Sequence, residues 1–357
     1  MQGLEVHYLS VLPQPDEVVT PAETVLHRFD SLGRRGLRDA VADLSLNVLL
    51  LNPERSRRYR GIRADVLRSA YGTEHYRQKL RSFHNRAERV VRRALRVTPW
   101  EMAERRWERA FYEGHARPPH VIAQSGYMRA QILESYRIPA DHVHVIHNAV
   151  DTREHNPETA AALRDEMRQR WGIQRDALCL LFLGHNFRLK GLWRILALMP
   201  RLTDPNRPVH LLVAGRGTGA GQRDKAAKLV SSLGLKGRVS LAGEVRPSLH
   251  ALAAADCLIH LSWHDSFGFA ALEAMACGLP VITTPYVGAA ELIDHGVSGL
   301  VVDPSDDEAV IAAIDALRDE PRRVAMGSAA AAIAATRDEP TNFAEVLEVF
   351  RAAASGR

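Results

Sequence analysis

The chain has 357 residues, of which 46% are hydrophobic and 25% charged, with a formal net charge of +5. That is enough for two domains of ordinary size in a soluble globular protein. No apolar run reaches membrane-spanning length and no signal peptide is recognised, so the expectation is a protein neither inserted nor exported, in the cytoplasm. The three cysteines, Cys179, Cys257 and Cys277, sit in apolar contexts and form no C-x-x-C pair, so they read as buried thiols in a reducing compartment.

In chain order, residues 3–10 alternate as a strand, and the apolar run 44–51 is a second strand candidate. Residues 71–75 form a turn that carries His75. Basic residues then dominate residues 55–96, with few acids between them. Within that block Phe83, Ala87, Val90, Val91, Ala94 and Leu95 fall at helical spacing, with arginines on the other face. The block carries no nucleic-acid recognition motif, which argues against nucleic acid as a partner. Residues 100–112 predict a helix after Pro99, residues 120–125 a strand ending at a polar turn with a helix beyond it, and residues 142–146 another strand. His147-Asn148-Ala149-Val150-Asp151 and a linker around Asn156-Pro157 follow.

The second half opens with a helix over 158–171 and a strand over 178–183. Next comes the loop Gly184-His185-Asn186-Phe187-Arg188-Leu189-Lys190-Gly191. Residues 209–215 predict a strand running into a glycine-rich turn with no dinucleotide fingerprint behind it. Residues 238–242 are the next strand, and Gly243-Glu244-Val245 follow. The run 256–261 reads as a buried parallel strand, Ser262 to Gly268 as a loop, residues 269–277 as a helix stopped by Gly278-Leu279-Pro280, and residues 280–284 as a strand. Helices are predicted over 308–317, 322–336 and 342–354.

The chemistry is expected where that last loop becomes a helix. The first N–H groups of a helix lack internal partners, and the peptide dipoles add about half a positive charge there. An anion against Ser266, Phe267 and Gly268 would satisfy both, and Gly268 permits close approach. Asp265 and Glu273 flank the helix start. A diphosphate with a hydroxylated ring on each side, a sugar nucleotide, fits such a site.

The string D-S-F-G-F-A-A-L-E-A-M-A-C-G-L-P-V-I-T-T resembles the signature loop of the retaining family 4 glycosyltransferases. The resemblance implies an α/β protein of the GT-B fold, with two Rossmann-like domains facing across a cleft. It places an acceptor-side domain at 1–155, a donor domain at 156–340 and a C-terminal helix crossing back at 341–357. It also implies that the N-terminal domain lacks its first βα unit, because residues 3–10 resemble the family's second strand. The carried-over roles put Asp265 on the transferred sugar and Glu273 on the ribose. Lys190 and Arg188 fall on the diphosphate, with His185 where the family has an arginine beside Gly184. Val245 falls at the nucleobase, Gly288 near the phosphates, and His75 (or His84) on the acceptor side.

The expected activity is metal-independent transfer of a hexose from a nucleotide sugar, with no cofactor, to a glycan or lipid-linked acceptor. No D-x-D occurs to hold a metal-bridged diphosphate. A narrower likeness, to lipopolysaccharide core glucosyltransferases, rests on G-H-N-F-R-L-K-G with W-E-M-A-E-R-R-W-E-R-A-F. The basic helix 81–96 suggests an anionic membrane surface as a further partner. The alternative reading is a non-catalytic relative that binds sugar nucleotides or glycans.

Overall fold

The structure is a computed structural model that describes residues 6–10, 24–28, 50–51, 65–69, 99–114, 117–204, 207–217 and 221–355. The turn with His75, His84, the basic helix 81–96 and most of the run 44–51 lie outside the described residues.

The second half is a six-stranded parallel sheet. Its strands are β7 (Leu178–Leu183), β8 (Val209–Ala214), β9 (Val239–Gly243), β10 (Cys257–His260), β11 (Val281–Thr283) and β12 (Gly299–Val301). They lie in the order β12-β11-β10-β7-β8-β9, so the chain winds outward one way from β7 and then the other way from β10. This is the doubly wound dinucleotide-fold order, in which ligands bind at the carboxyl ends of the strands where the winding reverses.

Strand alternation explains why both faces are covered. Cys179, Leu181, Leu212, Ala214 and Leu258 face one core with Met167, Leu252, Leu272 and Ala330. Leu178, Leu180, Leu211, Val213 and Ile259 face the other with Leu196, Val230 and Ile314. Cys179 and Cys257 are thus core residues, and all three cysteines are buried free thiols. Burial pushes the Cys179 thiol up to about 12.

In the first half, β3 (Leu50–Leu51), β4 (Val66–Ser69), β5 (His120–Ala123) and β6 (Val143–Val145) make a four-stranded parallel sheet. The strands β1 (Val6–Ser10) and β2 (Thr24–Arg28) pair in parallel with each other. The final helix, Glu339–Ser355, returns to this half, where Val349, Phe350 and Ala353 pack with Val66, Ile122 and Ile146. Among the described residues no helix is long and apolar enough to cross a membrane.

The strand β7 has the predicted bounds and β10 is one residue shorter at each end. The short helices Leu192–Leu198 and Leu249–Ala254 carry no strong periodicity and emerge only from packing.

Candidate active site at the switch point

The reversal of winding falls between β7 and β10, and the loops leaving these two strands are stitched together. The amide of Trp263 donates to the Leu189 carbonyl at 3.0 Å, and the Ser262 hydroxyl reaches the same oxygen at 3.2 Å. Gly191 makes the approach possible. Its φ is +85°, and a Cβ there would stand 2.4 Å from the Leu261 carbonyl oxygen. The preceding residue, Lys190, is thereby held over Gly184, where a Cβ would meet its side chain at 3.5 Å.

The result is an ion pair between Lys190 Nζ and Asp265 Oδ2. Asp265 is 8% exposed. His260, the last residue of β10, lies beneath it with Nε2 3.2 Å from the same carboxylate oxygen. Burial alone would raise the Asp265 pKa. The Lys190 charge and then the His260 imidazole outweigh it and hold the carboxyl below the usual range. His260 moves the other way: burial first, and then the Lys190 charge, keep its imidazole neutral.

Beside this group the helix Phe269–Ala276 begins at Gly268, whose φ is +91° and which supplies no side-chain cap. A Cβ on Gly268 would strike Val287 at 2.7 Å, so the turn demands glycine twice over. Among the described residues no protein acceptor meets the N–H groups of Ser266, Phe267, Gly268, Phe269 or Ala270. An uncapped, partly positive helix start thus adjoins a lysine. Glu273 lies half-buried on this helix, and among the described residues its carboxylate has no hydrogen bond or ion pair.

The structure therefore brings Lys190, Asp265, Gly184 and the segment Ser266–Gly268 together. His185 and Arg188 sit on the exposed rim of the same loop. Val245 packs against the core, and the neighbouring Glu244 is paired with Arg216 and Arg246. Gly288 is buried where the two halves meet. A Cβ there would stand 2.4 Å from the Ser266 carbonyl oxygen and 2.6 Å from the Ser125 hydroxyl.

Three residues not singled out in the sequence also matter. His260 is one, hidden in an apolar strand. Glu291 and His147 are the others. Glu291 accepts from the backbone N–H groups of Gly126 (2.8 Å) and Tyr127 (2.7 Å), at the start of the helix Gly126–Ser135. Its Oε2 also lies 3.0 Å from His147 Nε2. The Ser125 hydroxyl donates to the Ser266 carbonyl at 2.8 Å, and His264 meets Gln131 at 3.0 Å. The loop that carries Asp265 is thus docked on the first half. The polar turn after β5 was the only signal of this contact.

Comparison with known proteins bears on this site directly. Residues 3–154 match the family described as Glycosyltransferase Family 4, and residues 163–332 match the one described as Glycosyl transferases group 1. The chain belongs to the family 4 glycosyltransferases. Both halves of the chain are covered, and the second match contains Lys190, Asp265 and Glu273.

Among curated relatives, a D-inositol 3-phosphate glycosyltransferase of Thermomonospora curvata is 34% identical over 215 residues, covering 57% of this chain and 49% of the relative. One of Pseudarthrobacter chlorophenolicus is 33% identical over 252 residues, covering 69% and 58%. The chain spans about half the length of the curated relatives it matches.

Among solved structures, WaaG, a glycosyltransferase involved in lipopolysaccharide biosynthesis, aligns with a TM-score of 0.73 at 20% identity, over 98% of this chain and 91% of WaaG. Anabaena HepE in complex with UDP aligns with a TM-score of 0.69 at 20% identity, over 92% and 86%. These likenesses establish the GT-B fold.

Proposed function

We propose that this protein transfers a hexose from a UDP-sugar to a glycan or lipid-linked acceptor, with retention of anomeric configuration and without a metal. The observation that carries the reading is the Lys190–Asp265 pair beside the uncapped start of helix Phe269–Ala276. A departing nucleoside diphosphate gains negative charge, and an ammonium within reach together with free helix N–H groups stabilises that charge as it forms. In this reading Arg188 and His185 reach the diphosphate from the rim, while Gly184 leaves room for it. Glu273 accepts from the ribose hydroxyls and Asp265 from the transferred sugar. Val245 and its backbone neighbours face the base. Uridine is preferred because HepE, of the same fold, is known with UDP and with UDP-glucose.

The acceptor would enter from the first half. The lipopolysaccharide assignment rests on the likeness to WaaG and on the two sequence runs noted above. We place the protein in the cytoplasm, with the basic helix 81–96 resting on an anionic membrane.

The test is UDP release from UDP-glucose with cell-envelope glycolipids as acceptors. Glu273→Ala is expected to weaken donor binding by about 1.5–3 kcal/mol, the range for hydrogen bonds to a charged group. Lys190→Ala should lower turnover more than binding. Chelator should leave the rate unchanged. Donor binding without UDP release in any acceptor mixture would favour the non-catalytic reading.

A further inference from the structure

Three charged or titratable groups meet at the switch point, and their balance changes when a ligand arrives. Lys190 and Asp265 neutralise each other, and the neutral His260 stands against the same carboxylate oxygen. That contact lacks hydrogen-bond geometry, and among the described residues the buried Nε2 has no hydrogen-bond partner. Lys190 is 21% exposed at its side chain, while Asp265 and His260 are 8% and 3% exposed. The lysine can therefore swing toward an incoming anion, and the other two cannot leave.

This argument rests on the diphosphate-sugar reading above. A diphosphate at the start of helix Phe269–Ala276 competes with Asp265 for Lys190. A Cβ at Gly268 would lie only 3.5 Å from Asp265 Oδ2, so the two anions would be close neighbours. A carboxylate left buried beside a second anion and without a cation is costly. The nearest group able to become a cation is His260. The influence that opposes its protonation, besides burial, is the Lys190 charge, and that is the charge the diphosphate draws off. Tyr127, which faces Asp265 from the first half, stays neutral, because burial pushes its hydroxyl up to about 12.

We propose that His260 is a positioning residue that takes up a proton from solvent as the donor binds, and replaces Lys190 as the cation beside Asp265. Lys190 then serves the diphosphate undivided, and Asp265 stays ionised and fixed where the transferred sugar sits. The strand-end histidine becomes part of the donor site without touching the donor.

Calorimetric titration of the full chain with UDP-glucose reads this directly. The diphosphate diester has no proton of its own to exchange near neutral pH. Titrations at pH 7.5 in phosphate and in Tris, whose ionisation enthalpies differ widely, give the number of protons taken up. Roughly one proton per UDP-glucose is expected, falling as the pH is lowered toward values at which the free protein already carries it. His260→Gln should abolish the uptake and leave affinity independent of pH. Asp265→Asn, which removes the need for a second cation, should abolish it as well. Uptake indistinguishable from zero in the parent overturns the proposal, as does uptake that persists in both variants. Absence of any UDP-glucose binding to the parent would instead overturn the donor reading on which it rests.

Discussion

Two buried aspartates flank β10, and their surroundings could hardly differ more. Asp256, just before the strand, is met by Arg164 at 2.6 Å, by Arg168 at 3.2 Å and by Arg323 at 3.9 Å, and it accepts the Cys179 amide at 2.7 Å. Burial works against its charge, but Arg164, the Cys179 amide, Arg168 and Arg323 together hold its pKa down. Asp265, five residues past the strand, has one mobile lysine and one neutral imidazole. The first aspartate fastens helix Pro157–Arg170 and helix Glu320–Ala334 to the foot of the sheet. The second keeps a cation within reach of the mouth. Charge held in surplus serves as a clasp, whereas charge held in bare balance can be redirected by a ligand.

The comparison can be broken most forcefully at its structural end. Asp256→Ala strands three guanidinium groups and is expected to cost about 3–5 kcal/mol, the range for removing one member of a buried pair. A denaturant midpoint unchanged from the parent would show that the cluster is no clasp.

His210 sharpens the same end. Its Nε2–H donates to the Ser240 hydroxyl at 2.9 Å, which in turn donates to the Trp171 carbonyl at 2.8 Å. Burial, then the Arg168 and Arg238 charges, lower its pKa from 6.5 to about 4. A histidine held neutral in the folded state binds its proton more readily when unfolded, so stability is full above pH 6.5 and is lost as the pH falls toward 4. The contribution is about 3 kcal/mol, and urea midpoints between those pH values should show it in the parent and lack it in His210→Gln. His260 has no such ring of arginines, and that is why a ligand can change its state.

The smallest effect lies at the functional end. Asp265→Asn releases Lys190 from its partner, so UDP alone should bind more tightly, by about 1 kcal/mol in a partly solvated site, while sugar transfer falls. Weaker UDP binding in that variant would mean that the lysine and aspartate do not compete.

Much of this was legible in the sequence. The apolar runs of β7, β8 and β10 and the loop-to-helix string 265–277 follow local rules of period, propensity and glycine placement. The meeting of Lys190 with Asp265 is a different kind of fact. The two are 75 residues apart, and what joins them is strand order together with the close approach at Gly191. His260 was concealed because one polar residue in an apolar strand does not alter the pattern. Gly288 was expected near the phosphates; its tightest neighbours are Ser125 and Ser266, a fit set by the other half of the chain. Glu291 went unnoticed for the same reason, since its partners at Gly126, Tyr127 and His147 are more than 140 residues distant.

The chain passes between its two halves twice, once after β6 and once before the final helix. The two passages are tied side by side: the Val150 amide donates to the Arg337 carbonyl at 3.0 Å, and the Asn342 side chain donates to the His147 carbonyl at 2.6 Å. Two strands of a door frame pinned together make one hinge line. A swing about that line would keep both ties, whereas sliding or separating the halves would tear them. His147 sits on the line and also holds Glu291, so that contact would travel little in such a swing.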